Sequence, residues 1–161
     1  MSSEFADAAP RRSTRVPGSS ALNSPCLIDL LDRIRRDDGQ VEVLRLSNYI
    51  GPDASTAVID AVLQTLMFNN NCQALYIQNF SQGFRDEQVS KLVNVLRRGN
   101  IWCLNAGENY NVKPSTWRAF VKEIENTNVT HAYLSEHVIT AELKTAMRNA
   151  IRANRAKHNL H

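Results

Sequence analysis

Cysteine is scarce. Cys26, Cys72 and Cys103 are the only three among 161 residues, and no two form a CxxC pair. An odd count without paired spacing argues against a disulfide framework and suits a reducing compartment. Glycine and proline are also few, at 6 and 5, which excludes collagen-like and low-complexity chains. No apolar run reaches the roughly 18 residues of a membrane-spanning helix. Residues 1–24 lack the apolar stretch of a secretory signal. These absences set the expectation of an intracellular protein, cytoplasmic or nuclear, without membrane contact. With 43% hydrophobic and 22% charged residues, the chain can bury a core. Its length suits one domain of about 100–200 residues.

The formal charge is +3, unevenly distributed. Residues 139–161 carry Lys144, Arg148, Arg152, Arg155 and Lys157 against Glu142, a net +4. Residues 1–24 carry Arg11, Arg12 and Arg15 against Glu4 and Asp7, a net +1, which leaves the middle at −2. A basic end attracts nucleic acid or an acidic protein surface through salt-sensitive electrostatics. It also complements a helix dipole and solvates an exposed face.

Residues 1–24 combine Ser, Ala, Pro and Arg with few large apolar side chains. Such a segment cannot offset the entropy of ordering and reads as a flexible tail. Within it Ser13 and Thr14, set among Arg11, Arg12 and Arg15, resemble sites of basic-directed kinases; phosphate there would reverse the local charge. The same arginines fit a short nuclear-import cluster.

The middle of the chain repeats itself. Val41 to Asn48, Cys72 to Asn79, Gly99 to Ala106 and Val129 to Glu136 align on Leu46, Ile77, Leu104 and Leu134, at intervals of 31, 27 and 30 residues. Each segment alternates apolar with polar, as Leu44-x-Leu46, Leu75-x-Ile77, Trp102-x-Leu104 and Ala132-x-Leu134, the period of a strand with one buried face. Helical stripes follow each one: Val58, Ile59, Val62, Leu63 and Leu66; Val89, Leu92, Val93 and Leu96; Trp117, Phe120, Val121 and Ile124; Leu143, Met147, Ala150 and Ile151. Ser24-Pro25, Pro114-Ser115 and Thr140 mark helix starts, and Asn69 to Asn71 and Arg98 to Asn100 mark turns.

A strand, loop and helix of this length cannot bury both faces alone, so successive units stack. The pattern predicts an α/β solenoid with parallel strands on a concave inner face and helices on the convex outer face. A helix at about 25–37, with Leu27, Leu30, Leu31 and Ile34 inward, would cap one end, and a basic helix at about 140–156 the other. Residues 25–161 would then form one domain. A doubly wound α/β fold also alternates strands and helices, but its strands are apolar throughout and it carries a Gly-rich phosphate loop. Neither GxGxxG nor GxxxxGK[ST] occurs here.

These residues resemble the leucine-rich repeat family, in particular its ribonuclease-inhibitor-like class, whose units read LxxLxLxxNxhxxxGhxxLxxhL. Val41-x-x-Leu44-x-Leu46-Ser47-Asn48-Tyr49-Ile50-Gly51 is the best match, and Leu75-x-Ile77-x-Asn79-Phe80 follows it. The third and fourth units match by spacing, and the resemblance covers about residues 41–155. It implies a horseshoe that binds other proteins on its concave face. The chain departs from the family at the ladder asparagine, whose position falls at Tyr49, Phe80, Gly107 and His137. The backbone groups an Asn would satisfy there need other partners.

With Leu44 and Leu46 inward, residues 43, 45 and 47 point outward. The expected concave column is Arg45, Tyr76, Cys103 and Tyr133, flanked by Ser47, Gln78, Asn105 and Ser135, with Asn48, Asn79 and Glu136 at the strand ends. Tyr and Arg dominate binding energy at protein interfaces, although the same residues also serve as ordinary cross-strand pairs.

The search for chemistry is mostly negative. His131, His137, His158 and His161 form no zinc spacing with cysteine and no HExxH, so no metal and no cofactor are expected. Cys103 near His131 lacks an evident third partner, and reads as an inert thiol. Trp102 and Trp117 occupy apolar repeat positions and read as packed. Asn79-Phe80-Ser81 and Asn128-Val129-Thr130 match the glycosylation pattern but are expected to stay unmodified without a signal peptide.

The expected function is therefore non-catalytic: a protein-interaction module or scaffold using the concave residues, with no small-molecule ligand. The alternative is nucleic-acid or chromatin association through the Arg-containing tail and Lys144, Arg148, Arg152 and Arg155, which share one helix face. Family analogy adds a third reading, regulation of a small GTPase, although fold does not confer function.

Overall fold

Proline at the first helical position costs nothing, because the N–H it lacks would have no intrahelical partner. Pro25 and Pro114 both use this, opening α1 (Pro25–Arg35) and, later, α4 (Pro114–Glu123). The computed structural model describes residues 22, 24–135 and 140–159. Ser13 and Thr14, the rest of the expected tail apart from Leu22 and Ser24, and Glu136, His137 and His161 lie outside the described residues. After α1 the chain alternates β1 (Val43–Arg45), α2 (Thr56–Leu66), β2 (Ala74–Tyr76), α3 (Asp86–Arg97), β3 (Cys103–Asn105), α4, β4 (His131–Tyr133) and α5 (Ala141–Lys157).

Side chains set several helix starts. Ser55 accepts the Val58 N–H at 3.3 Å and Thr140 accepts the Leu143 N–H at 3.1 Å, each satisfying a donor the first turn leaves free. Ser24 sits at the cap position of α1, but its hydroxyl makes no cap bond there. Gly99 closes α3 at φ +89°, a left-handed conformation that favours glycine.

The four strands pair in parallel in chain order, β1-β2-β3-β4. Each helix packs against the next, α1 on α2 through α4 on α5. Leu44, Leu75 and Leu104 from the strands join the helical stripes in one apolar core, with Trp117 stacked on Phe84 (6.3 Å) and edge-on to Phe120 (5.5 Å). One face of the sheet is thus covered. The other presents Val43, Arg45, His131 and Tyr133 to solvent, unlike a doubly wound sheet, which is buried on both faces.

The register corrects the third repeat. Leu104 lies opposite Leu75 and Ala132, so its counterparts are Leu44 and Ala132, not Leu46 and Leu134. The inward pair is Leu104 and Ala106; Trp102 precedes the strand and is 43% exposed instead of packed. Sliding a strand by two residues keeps every side chain on its own face, so alternation cannot detect the error. The repeat positions become Leu46, Ile77, Ala106 and Leu134, spaced 31, 29 and 28 residues apart.

The same shift moves the ladder position from Gly107 to Asn109. Asn109 is 1% exposed; its amide donates to the carbonyls of Ile77 (2.9 Å) and Ala106 (3.0 Å) and its oxygen accepts from Phe80 N (2.7 Å). Four further asparagines tie the opposite ends of the units together. Asn69 donates to Ile34 O (3.0 Å), Asn100 to Asn69 O (2.8 Å), Asn128 to Gly99 O (2.9 Å), and Asn154 to Ile124 O (2.9 Å) and Val129 O (2.7 Å).

Candidate functional site

The open face of the sheet carries two rows of side chains. Val43, Ala74, Cys103 and His131 form one, and Arg45, Tyr76, Asn105 and Tyr133 the other. Arg45, Tyr76 and Tyr133 of the expected column lie in this second row, but the third place in it belongs to Asn105; Cys103 lies in the neighbouring row. The four strands set that row at intervals of about 4.8 Å.

Within the row, the Arg45 guanidinium lies 4.0 Å from the Tyr76 ring centroid, a cation–π contact on an exposed surface. Tyr133 is 48% exposed and leans on Gly107, where a Cβ would fall 2.6 Å from its Cε2. A side chain at Gly107 would displace the Tyr133 ring from this position. Asn105 points its Oδ1 at the Gly107 N–H (3.0 Å), holding the same turn. Ser135, expected to face outward, is buried and accepts the Glu108 N–H. Gln78 is half-buried, while Asn48 and Asn79 are exposed, the latter at φ +65° with its N–H bound to Gly107 O (3.0 Å).

Sequence reasoning missed a second aromatic cluster at the start of the sheet. Trp102 lies edge-on to His131, with centroids 5.6 Å apart, and its Nε1 donates to Gln73 at 3.2 Å. His131 Nδ1 pairs with the Thr130 hydroxyl at 3.0 Å. The imidazole is thus engaged by Thr130 and Trp102 although His131 and Cys103 are register partners. No orienting acid completes a Cys–His nucleophile among the described contacts.

Among the described residues no group of three or more His, Cys, Asp or Glu side chains could hold a metal ion. His158 instead contacts Asn128 Oδ1 at 3.0 Å. No helix among the described residues is long and apolar enough to cross a membrane. Lys144, Arg148, Arg152 and Arg155 do come together, along one side of α5 facing a groove beside β4.

No protein-family model and no curated protein matches the chain. Solved structures do. Actin-binding site 2 of leiomodin-1 superposes with a TM-score of 0.64 at 13% identity, covering 81% of this chain and 90% of that one. The C-terminal domain of a Caenorhabditis elegans tropomodulin superposes with a TM-score of 0.54 at 12% identity, covering 83% and 95%. Identity this low reports shared architecture only. The fold to which this chain is similar is thus a leucine-rich-repeat-like α/β arrangement with a parallel sheet.

Proposed function

We propose that this chain is a non-catalytic protein-binding module that docks its partner on the open face of the sheet. The observation that carries the reading is the stack of Arg45 on Tyr76, displayed on a solvent-facing row with Tyr133. Tyr and Arg are enriched among the residues that dominate interface energy, and a stacked guanidinium has already lost part of the freedom that binding would cost it. The reading includes the horseshoe curvature and ribonuclease-inhibitor-like class suggested by the first repeat, α1 and α5 as end caps, and an intracellular setting.

Actin is the first partner to try, because the similar leiomodin-1 structure is an actin-binding site. The decisive comparison is between the wild-type chain and the Arg45→Ala/Tyr76→Ala/Tyr133→Ala variant. It pairs cosedimentation with filamentous actin with capture from cell extract read by mass spectrometry. The variant should lose the partner while keeping its circular dichroism and melting temperature. A folded triple variant that retains every partner sinks the open face as the docking site.

A further inference from the structure

A strand at the end of a sheet exposes the backbone groups that point away from its neighbour. On β4, His131 N donates to Trp102 O (3.1 Å) and Tyr133 O accepts from Ala106 N (3.1 Å), so the backbones of these two residues face β3. Strand geometry then turns the N–H and C=O of Ala132 toward the outer edge. No described group pairs with them. The adjoining Thr130 carbonyl accepts from Arg155 Nε at 3.0 Å. Each of the first three strands is followed by a helix and then by a strand that pairs with it; after α5 no described strand returns to β4.

The place a fifth strand would take is a groove of about 920 Å³ between β4 and α5. Ala132, Met147 and Ile151 give it an apolar lining, while Arg148, Arg152 and Arg155 supply positive charge, and no described carboxylate lines it. We propose that this groove binds an extended acidic segment of a protein partner, added to the sheet as a fifth strand. Its backbone would pair with Ala132, an apolar side chain would cover Met147 and Ile151, and carboxylates would meet the arginines.

Two features choose this occupant. Ala132 offers a donor beside an acceptor, which a polypeptide backbone can match with its own C=O and N–H, whereas a phosphodiester carries acceptors only, and this favours peptide over nucleic acid. The chain's own residues 1–24 carry Arg11, Arg12 and Arg15 and a net +1, the wrong sign for this groove.

The test uses the full chain and fluorescence anisotropy with a labelled peptide of about ten residues alternating Glu and Val, the length of a long natural strand. The same peptide N-methylated at alternate residues cannot pair along its edge, and a thymidine oligonucleotide of about 20 nucleotides supplies charge without a peptide backbone. The parent peptide should bind. N-methylation and the exposed double change Arg148→Glu/Arg152→Glu should each weaken it about tenfold or more. Arg45→Ala/Tyr76→Ala should leave it unchanged, separating this groove from the open face. The Ala132 amide signal should move on binding. Equal binding of the N-methylated peptide, tighter binding of the oligonucleotide, or no binding of the parent peptide overturns the proposal.

Discussion

The side-chain oxygen of Asn109 accepts the backbone N–H of Phe80 at 2.7 Å, so a residue of the third repeat completes the turn of the second. The Asn109 amide meanwhile satisfies the carbonyls of Ile77 and Ala106, and the whole constellation is buried. One side chain thereby stitches two stacked units where water cannot substitute.

Asn109→Ala should cost about 3 kcal/mol, since it orphans buried backbone groups on both sides of the turn. The exposed Asn111, which makes one bond to Ser81 O at 2.7 Å, provides the control. Asn111→Ala should cost under about 1 kcal/mol. Urea unfolding of both variants against wild type measures the difference.

Glycine positions divide by what a methyl group would meet. A Cβ at Gly83 would lie 2.3 Å from Ala54 O and 2.7 Å from Ser55 O, both backbone atoms at the start of α2. Gly83→Ala should therefore destabilise by about 3 kcal/mol, as the unit holding it must move off its neighbour. At Gly39 nothing lies within 4 Å. Gly39→Ala should be neutral or stabilise by up to about 1 kcal/mol through the unfolded chain. Thermal melts decide both.

The three thiols should separate kinetically. Burial pushes the Cys72 thiol up to about 12, whereas Cys26 is exposed and Cys103 half-buried. A disulfide-exchange reagent near pH 8 should label Cys26 rapidly and leave Cys72 untouched until denaturant unfolds the chain, because only thiolate attacks. Peptide mapping of the labelled protein identifies the sites.

Asp86, the first residue of α3, accepts the Lys113 N–H at 2.8 Å, and this bond is the main cause holding its carboxyl below the usual carboxylate range. A folded pKa lower than the unfolded one gives stability that is complete above about pH 3.9 and lost as pH falls through the folded value. Asp86→Asn should thus be less stable than wild type at neutral pH, the gap closing in acid below about pH 3.9. Chemical denaturation across that range tests the sign, and carbon NMR of the Asp86 carboxyl tests the shift.

The basic stripe shows how far linear reading reaches. Spacing alone puts Lys144, Arg148, Arg152 and Arg155 on one face of a helix. It does not say that the face looks onto the edge of β4, which depends on how α5 packs against α4. Trp102 is the converse case. Its apolar character suggested core, but it sits one residue ahead of β3, where the sheet has begun to expose its margin and Gln73 and His131 receive the ring.

Periodicity determined the alternation of strands and helices, the inward stripes and the outward placing of Arg45, Tyr76 and Tyr133, because burial of one face imposes a period of two on strands and 3.6 on helices. Tertiary structure alone decided the offset of the third strand, the identity of the ladder residue, and the meeting of Arg45 with Tyr76. A period constrains which way a side chain points but not what lies opposite, and bonds such as Asn109 to Phe80 exist only after units 29 residues apart have stacked.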